Sequence, residues 1–139
     1  MKKVVIFYQS KTGITKKFAG EIAAYLAGKG MEVENLSIAE YTGEKAEKAN
    51  YVLLGCWTSG FLLFFLQHPD GPWKKFAGNL PELTGRIALF TTYKVATGSM
   101  FNAMRKQLGL NGNRANVELR SRNGSLSVEN KALLDEFVK

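Results

Sequence analysis

Residues 10–15 read SKTGIT and follow directly on the apolar run 4–8. Three hydroxyl side chains, a lysine and a glycine thus stand where a strand gives way to a helix. A helix N-terminus leaves its first backbone N–H groups unpaired and carries a partial positive charge. It is therefore ready to receive an anion. Ser10, Thr12 and Thr15 add hydroxyl donors, Gly13 lets the backbone approach a ligand closely, and no carboxylate lies in the segment to repel it. A phosphate monoester is the guest this donor set suits. The same residues also make an ordinary capped helix start, and local chemistry weighs the two readings equally. Neither GxxxxGK[ST] nor GxGxxG occurs in the chain, which sets aside the P-loop and the dinucleotide fingerprint.

Other reactive side chains are few. Cys56, the sole cysteine, ends an apolar run and reads as a buried structural thiol. His68, the sole histidine, sits in the turn-like stretch QHPDGPW and reads as a surface residue. One His and one Cys support neither a zinc site nor a Cys/His pair, and Ser10 has no evident triad. No catalytic residue and no metal ligand is assigned.

The elements that must hold these residues follow from periodicity. Runs 4–8, 51–56 and 86–93 are almost wholly apolar, as strands buried on both faces are. Run 33–38 suits an outer strand, and 115–121 alternates as an edge strand does. Phe18, Ile22 and Leu26 recur at four-residue spacing across 15–30, an amphipathic helix ending near Gly28 and Gly30. Further helices are expected at 63–76, 99–108 and 127–138, the last capped by Ser127. Alternation of this kind argues a parallel sheet covered by helices on both faces. Five strands in 139 residues suit one domain, a doubly wound sheet of order 2-1-3-4-5. Ligands of such sheets bind beyond the carboxyl ends of the strands, at the topological switch. The loops there are 9–15, 57–62 and 92–98.

The chain is 45% hydrophobic and carries a net charge of +7. Residues 74–122 hold nine basic side chains against two acidic ones, Glu82 and Glu118. Such an excess attracts anionic ligands or acidic partners. The basic pairs are not interleaved with aromatics, so nucleic-acid binding is not expected. The longest apolar run, FLLFFL at 61–66, is far short of a membrane span of roughly 20 residues. No leader is read at the N-terminus, and a cytoplasmic location is expected.

SKTGIT resembles the phosphate loop of flavodoxins, [S/T]-x-T-G-x-T, in its setting after the first strand. YVLLGCWTSG (51–60) resembles their third strand and first flavin loop, and LFTTYKVATGSMFNAM (89–104) their fourth strand and second flavin loop. The likeness covers 3–138 and is to the short-chain members. It implies a flavodoxin-like fold and non-covalently held FMN that passes electrons singly. On that resemblance Ser10, Thr12, Gly13, Ile14 and Thr15 hold the phosphate, with Lys11 on the rim. Thr58, Ser59 and Gly60 border the flavin N5, Thr92, Tyr93 and Lys94 line the other wall, Gly98 is in register, and Trp57 is placed to stack.

The chain departs from that pattern in its charge, since most flavodoxins are acidic. Residues 49–69 contain no charged side chain, and Phe61, Leu62 and Leu63 stand where short-chain relatives place a carboxylate. Val95 stands where an aromatic is expected. The first expectation is an electron carrier, monomeric, shuttling between redox proteins that dock through an acidic patch. The alternatives are an FMN-dependent NAD(P)H or quinone reductase, and a flavodoxin-fold interaction or anion-binding module with weak or lost FMN binding.

Overall fold

The computed structural model describes residues 1–59, 68–110, 114–115 and 117–139. The described strands are β1 (Lys3–Gln9), β2 (Glu32–Ser37), β3 (Tyr51–Trp57), β4 (Arg86–Thr92) and β5 (Val117–Ser121). All pair in parallel, in the order β2-β1-β3-β4-β5. The fold is flavodoxin-like, as the alternation of buried runs and amphipathic stretches implied. Helices α1 (Ile14–Gly28), α2 (Gly43–Lys48), α3 (Gly71–Gly78), α4 (Met100–Leu108) and α5 (Val128–Phe137) connect and cover it.

Side chains alternate across a strand, so each buried strand feeds both faces. Val5, Phe7, Val52, Leu54, Ile87 and Leu89 pack with Trp73 and Phe76 of α3 and with Met100, Phe101 and Met104 of α4. Their neighbours Val4, Ile6, Leu53, Ala88 and Phe90 pack on the other side with Phe18, Ile22 and Leu26 of α1 and with Leu134 and Phe137 of α5. Two apolar layers thus sandwich the sheet. β2 lies at an edge and exposes Glu32 and Glu34, which explains its weaker apolar pattern.

Helix ends carry the expected chemistry. Ser127 caps α5, its side chain accepting from the Asn130 N–H. Asp70 caps α3 through the Trp73 N–H, and Pro72 stands in the first turn, where its missing N–H costs nothing. The helix expected at 63–76 is corrected here. Its described part begins only at Gly71, because Asp70 is held extended as the cap and Pro69 precedes it. The stretch 63–67 lies outside the described residues. Ser59 and His68 instead form an isolated antiparallel bridge, with backbone bonds of 3.1 and 2.8 Å.

Candidate functional site

Strand register brings the loop residues side by side. Gln9 pairs with Cys56, Trp57 with Thr92, and Thr92 with Ser121, so β1, β3, β4 and β5 end nearly level. Every described site residue expected from the sequence lies at or just beyond this carboxyl edge. Gly60 lies outside the described residues.

At the β1–α1 junction Gly13 is the helix N-cap, with φ of +94°. That left-handed conformation suits glycine and strains other residues. Gly13 has no side chain to cap the helix. Ser10 does the work from three residues earlier: its Oγ accepts from the Gly13 N–H at 3.0 Å and the Lys16 N–H at 3.3 Å. The N–H groups of Ile14 and Thr15 open the helix and have no intrahelical acceptor by geometry. Residues 11–14 are exposed, and the first turn contains no acidic side chain. An anion therefore meets free N–H donors and the helix dipole without a competing carboxylate.

Thr15 does something different from what its position in the motif suggests. Its side chain is buried and its Oγ1 lies 2.6 Å from Thr92 Oγ1, so the hydroxyl ties the first loop to the end of β4. Thr58 extends the same stitching. Its Oγ1 lies 2.8 Å from Thr91 Oγ1, and its N–H donates to the Thr92 carbonyl at 2.8 Å. Thr91 also donates to the Cys56 carbonyl at 2.6 Å. Tyr93 N–H reaches the Ser121 carbonyl at 3.2 Å. The ends of β3, β4 and β5 and the start of α1 are thus joined by short polar contacts, a floor beneath the loops. Ser59 turns toward His68, and Gly98 adopts a positive φ of +49° shortly before α4.

Two aromatic side chains stand on that floor, and each carries a cation. The Lys11 ammonium lies 4.9 Å from the Trp57 ring centroid, and the Arg122 guanidinium lies 5.5 Å from that of Tyr93. Such contacts contribute about 0.5–1 kcal/mol each at exposed sites. Lys94 is exposed beside Tyr93. Arg120 lies over Phe101 and donates to Thr97 Oγ1 at 3.1 Å. Across 9–20, 57–59 and 92–99 there are several cations and no carboxylate.

The carboxylate that does reach this region is Asp70, which sequence reasoning left out. Its oxygens accept from Gln9 Nε2 at 3.0 Å, Trp57 Nε1 at 2.7 Å and the Trp73 N–H at 3.0 Å, with Cys56 Sγ at 3.9 Å. The available signal was DGPW, an N-cap followed by proline. It announces a helix start but does not say which distant donors the carboxylate will meet. Arg122 and Thr91 were likewise passed over. Burial, reinforced by the Asp70 charge, pushes the Cys56 thiol well above its ordinary range, so it is an inert packing group.

The donor set at the α1 mouth fits the phosphate of FMN: open N–H groups, exposed small residues and no acid. The described ring-side residues offer two aromatic faces and a hydrogen-bonded floor, which fit a planar aromatic ring.

Comparison with known proteins bears on the same regions. The family model for flavodoxin matches residues 6–63, from within β1 through the SKTGIT loop and β3. No curated protein sequence matches the chain. Among solved structures, two-electron reduced Megasphaera elsdenii flavodoxin is similar at a TM-score of 0.70 and 22% identity, covering 94% of each chain. Oxidised flavodoxin 1 from Bacillus cereus is similar at 0.69 and 20%, covering 99% of this chain and 97% of that one. A Fusobacterium nucleatum flavodoxin variant bound to flavin mononucleotide is similar at 0.58 and 16%, covering 86% and 68%. At these identities the structures show the shared fold. The family model adds the sequence pattern of the first half.

Proposed function

We infer that this flavodoxin-like chain holds FMN at the carboxyl edge of its sheet and serves as an electron carrier between redox proteins. The observation that carries the reading is the exposed, acid-free mouth of α1, in the loop that matches the flavodoxin model. Ser10, Thr12, Gly13, Ile14 and Thr15 hold the phosphate. Ser10 preorganises the loop through Gly13 and Lys16, so little ordering remains when the anion arrives. Trp57, Thr58 and Ser59 on one side, and Thr92, Tyr93, Lys94 and Gly98 on the other, border the ring. Bound FMN supplies the electron chemistry; the protein supplies grip, orientation and charge.

A ring stacked on Trp57 or Tyr93 takes the place of Lys11 or Arg122, whose contacts there are weak enough to give way. Those cations remain on the rim. The partner is accordingly a redox protein with an acidic docking patch. The protein works as a monomer in the cytoplasm. Among the described residues no helix is long and apolar enough to cross a membrane.

Titration of the protein with FMN and with riboflavin, followed by flavin fluorescence, tests the reading. FMN binds and riboflavin, which lacks the phosphate, binds at least about a hundredfold more weakly, the difference expected when several charge-assisted hydrogen bonds are removed. Equal affinity for the two, or uptake of neither, overturns it.

A further inference from the structure

Asp70 lies far along the chain from the phosphate loop, yet one carboxylate joins the ends of β1 and β3 to the start of α3. Oδ2 accepts from Gln9 Nε2 at 3.0 Å and Trp57 Nε1 at 2.7 Å. Oδ1 accepts from the Trp73 N–H at 3.0 Å and faces Cys56 Sγ at 3.9 Å. A carboxylate has about four lone-pair directions, and all four are taken. Asp70 therefore has no free lone pair with which to bind a ligand. Its effect on a ligand passes through Trp57.

We propose that Asp70 is the positioning residue of the ring-binding half of the site: it clamps the Trp57 indole by its N–H so that the ring face is preset for a flavin. The inference rests on the FMN reading above. The clamp bonds the edge of the indole and leaves its face for stacking, and Lys11 occupies a face in the structure at 4.9 Å. The residues just after Trp57 provide no charged group to hold it, because 49–69 is uncharged. An aromatic at the end of a strand without a partner for its N–H samples several rotamers and loses entropy when a ligand stacks on it. A charge-assisted bond from an acceptor that is itself locked as a helix cap removes that loss beforehand.

Capping and clamping can be separated. Asparagine caps a helix as well as aspartate does, so Asp70→Asn keeps the bond from the Trp73 N–H. The amide has one acceptor oxygen, and its NH2 meets the donors of Trp57 and Gln9 instead of receiving them. Asp70→Asn, Trp57→Phe and the double variant are compared with the unaltered chain. FMN affinity is read by flavin fluorescence, and inorganic phosphate is titrated as a competitor. Asp70→Asn weakens FMN about tenfold, the loss expected for one charge-assisted bond, and leaves the phosphate constant within about twofold because the α1 mouth is untouched. Trp57→Phe, which deletes the N–H and keeps a ring, shows a loss of the same size. It carries the test should Asp70→Asn fail to fold. In the Trp57→Phe background the further change Asp70→Asn has little effect, since both act through one bond.

FMN binding by Asp70→Asn equal to that of the unaltered chain overturns the inference. So does parallel weakening of FMN and phosphate, which marks a purely structural role, or full additivity in the double variant. Absence of FMN binding by the unaltered chain overturns the electron-carrier reading, and this inference with it. The other outcomes overturn the clamp alone.

Discussion

At Thr15 the hydroxyl turns inward to Thr92 while the backbone N–H stays at the helix mouth, so one residue serves two loops. Motif reading assigns such a threonine to the ligand; burial adds a structural task. Cys56 shows the same dependence on surroundings. Its folded-state pKa is raised, chiefly by burial, above that of an unfolded thiol. The unfolded chain therefore releases this proton first as pH rises. The contribution to stability is complete below the unfolded thiol's pKa of about 8.5 and declines above it, by up to about 1.4 kcal/mol per pH unit. Urea unfolding at several values between pH 7 and pH 10 measures this. The unaltered chain loses more stability over that interval than Cys56→Ala, which has no thiol to ionise; parallel decline in both rejects it.

At the level of elements, β3 and β4 fit together through one glycine. Gly55 pairs with Phe90, and the Phe90 ring lies directly over the Gly55 Cα. A Cβ there would overlap ring carbons, so the ring reaches across β3 only because β3 has no side chain at that point. It then packs edge-on against Phe18 of α1, with centroids 5.9 Å apart. Gly55→Ala is expected to cost at least about 2–3 kcal/mol, as forced overpacking in a core does. Much of that returns in Gly55→Ala/Phe90→Leu, where the ring is gone. Denaturant midpoints of the singles and the double measure the coupling, and a stable Gly55→Ala single variant speaks against it. The strands were readable from their apolar runs, since a strand buried on both faces leaves a plain signature. At the start of α3 two local signals compete, the apolar run from 61 and the cap-and-proline pair of DGPW. The apolar stretch before Asp70 looks helical by composition, and only the extended cap at Asp70 places the first turn at Gly71.

Across the whole molecule the charge is uneven in a useful way. Glu118 is shared by Arg105 and Arg120, its ion pair with Arg120 measuring 3.2 Å, which uses up part of the basic excess of the 74–122 segment. Lys29 with Asp135, Lys45 with Glu34 and Lys48 with Glu44 are paired elsewhere. At the carboxyl edge Lys11 lies over Trp57, and Arg122 lies over Tyr93 and donates to the Val95 carbonyl, while Lys94 is exposed. A unit charge about 10 Å from a flavin, at an effective dielectric near 40, contributes roughly 0.8 kcal/mol before screening. For a single electron this is about 35 mV toward easier reduction to an anionic ring. Electron transfer to a small acidic redox protein is accordingly expected to slow by about tenfold or more as ionic strength rises from about 0.01 M to about 0.5 M. Stopped-flow rates at graded salt test this, and a rate that climbs with salt contradicts it.

Much was determined by local order along the chain: the parallel α/β architecture, the helix mouth at SKTGIT and the loops that flank it. Each depends on neighbours a few residues apart, where apolar periodicity and capping chemistry act. Tertiary structure decided the rest. That Thr15 meets Thr92, that Arg122 covers Tyr93 and that Asp70 holds Gln9 and Trp57 follow from which strands lie adjacent and where they end. Hydrogen bonds and ring contacts act over a few ångströms, so partners separated by 13 to 77 positions become partners only once the sheet has set them side by side.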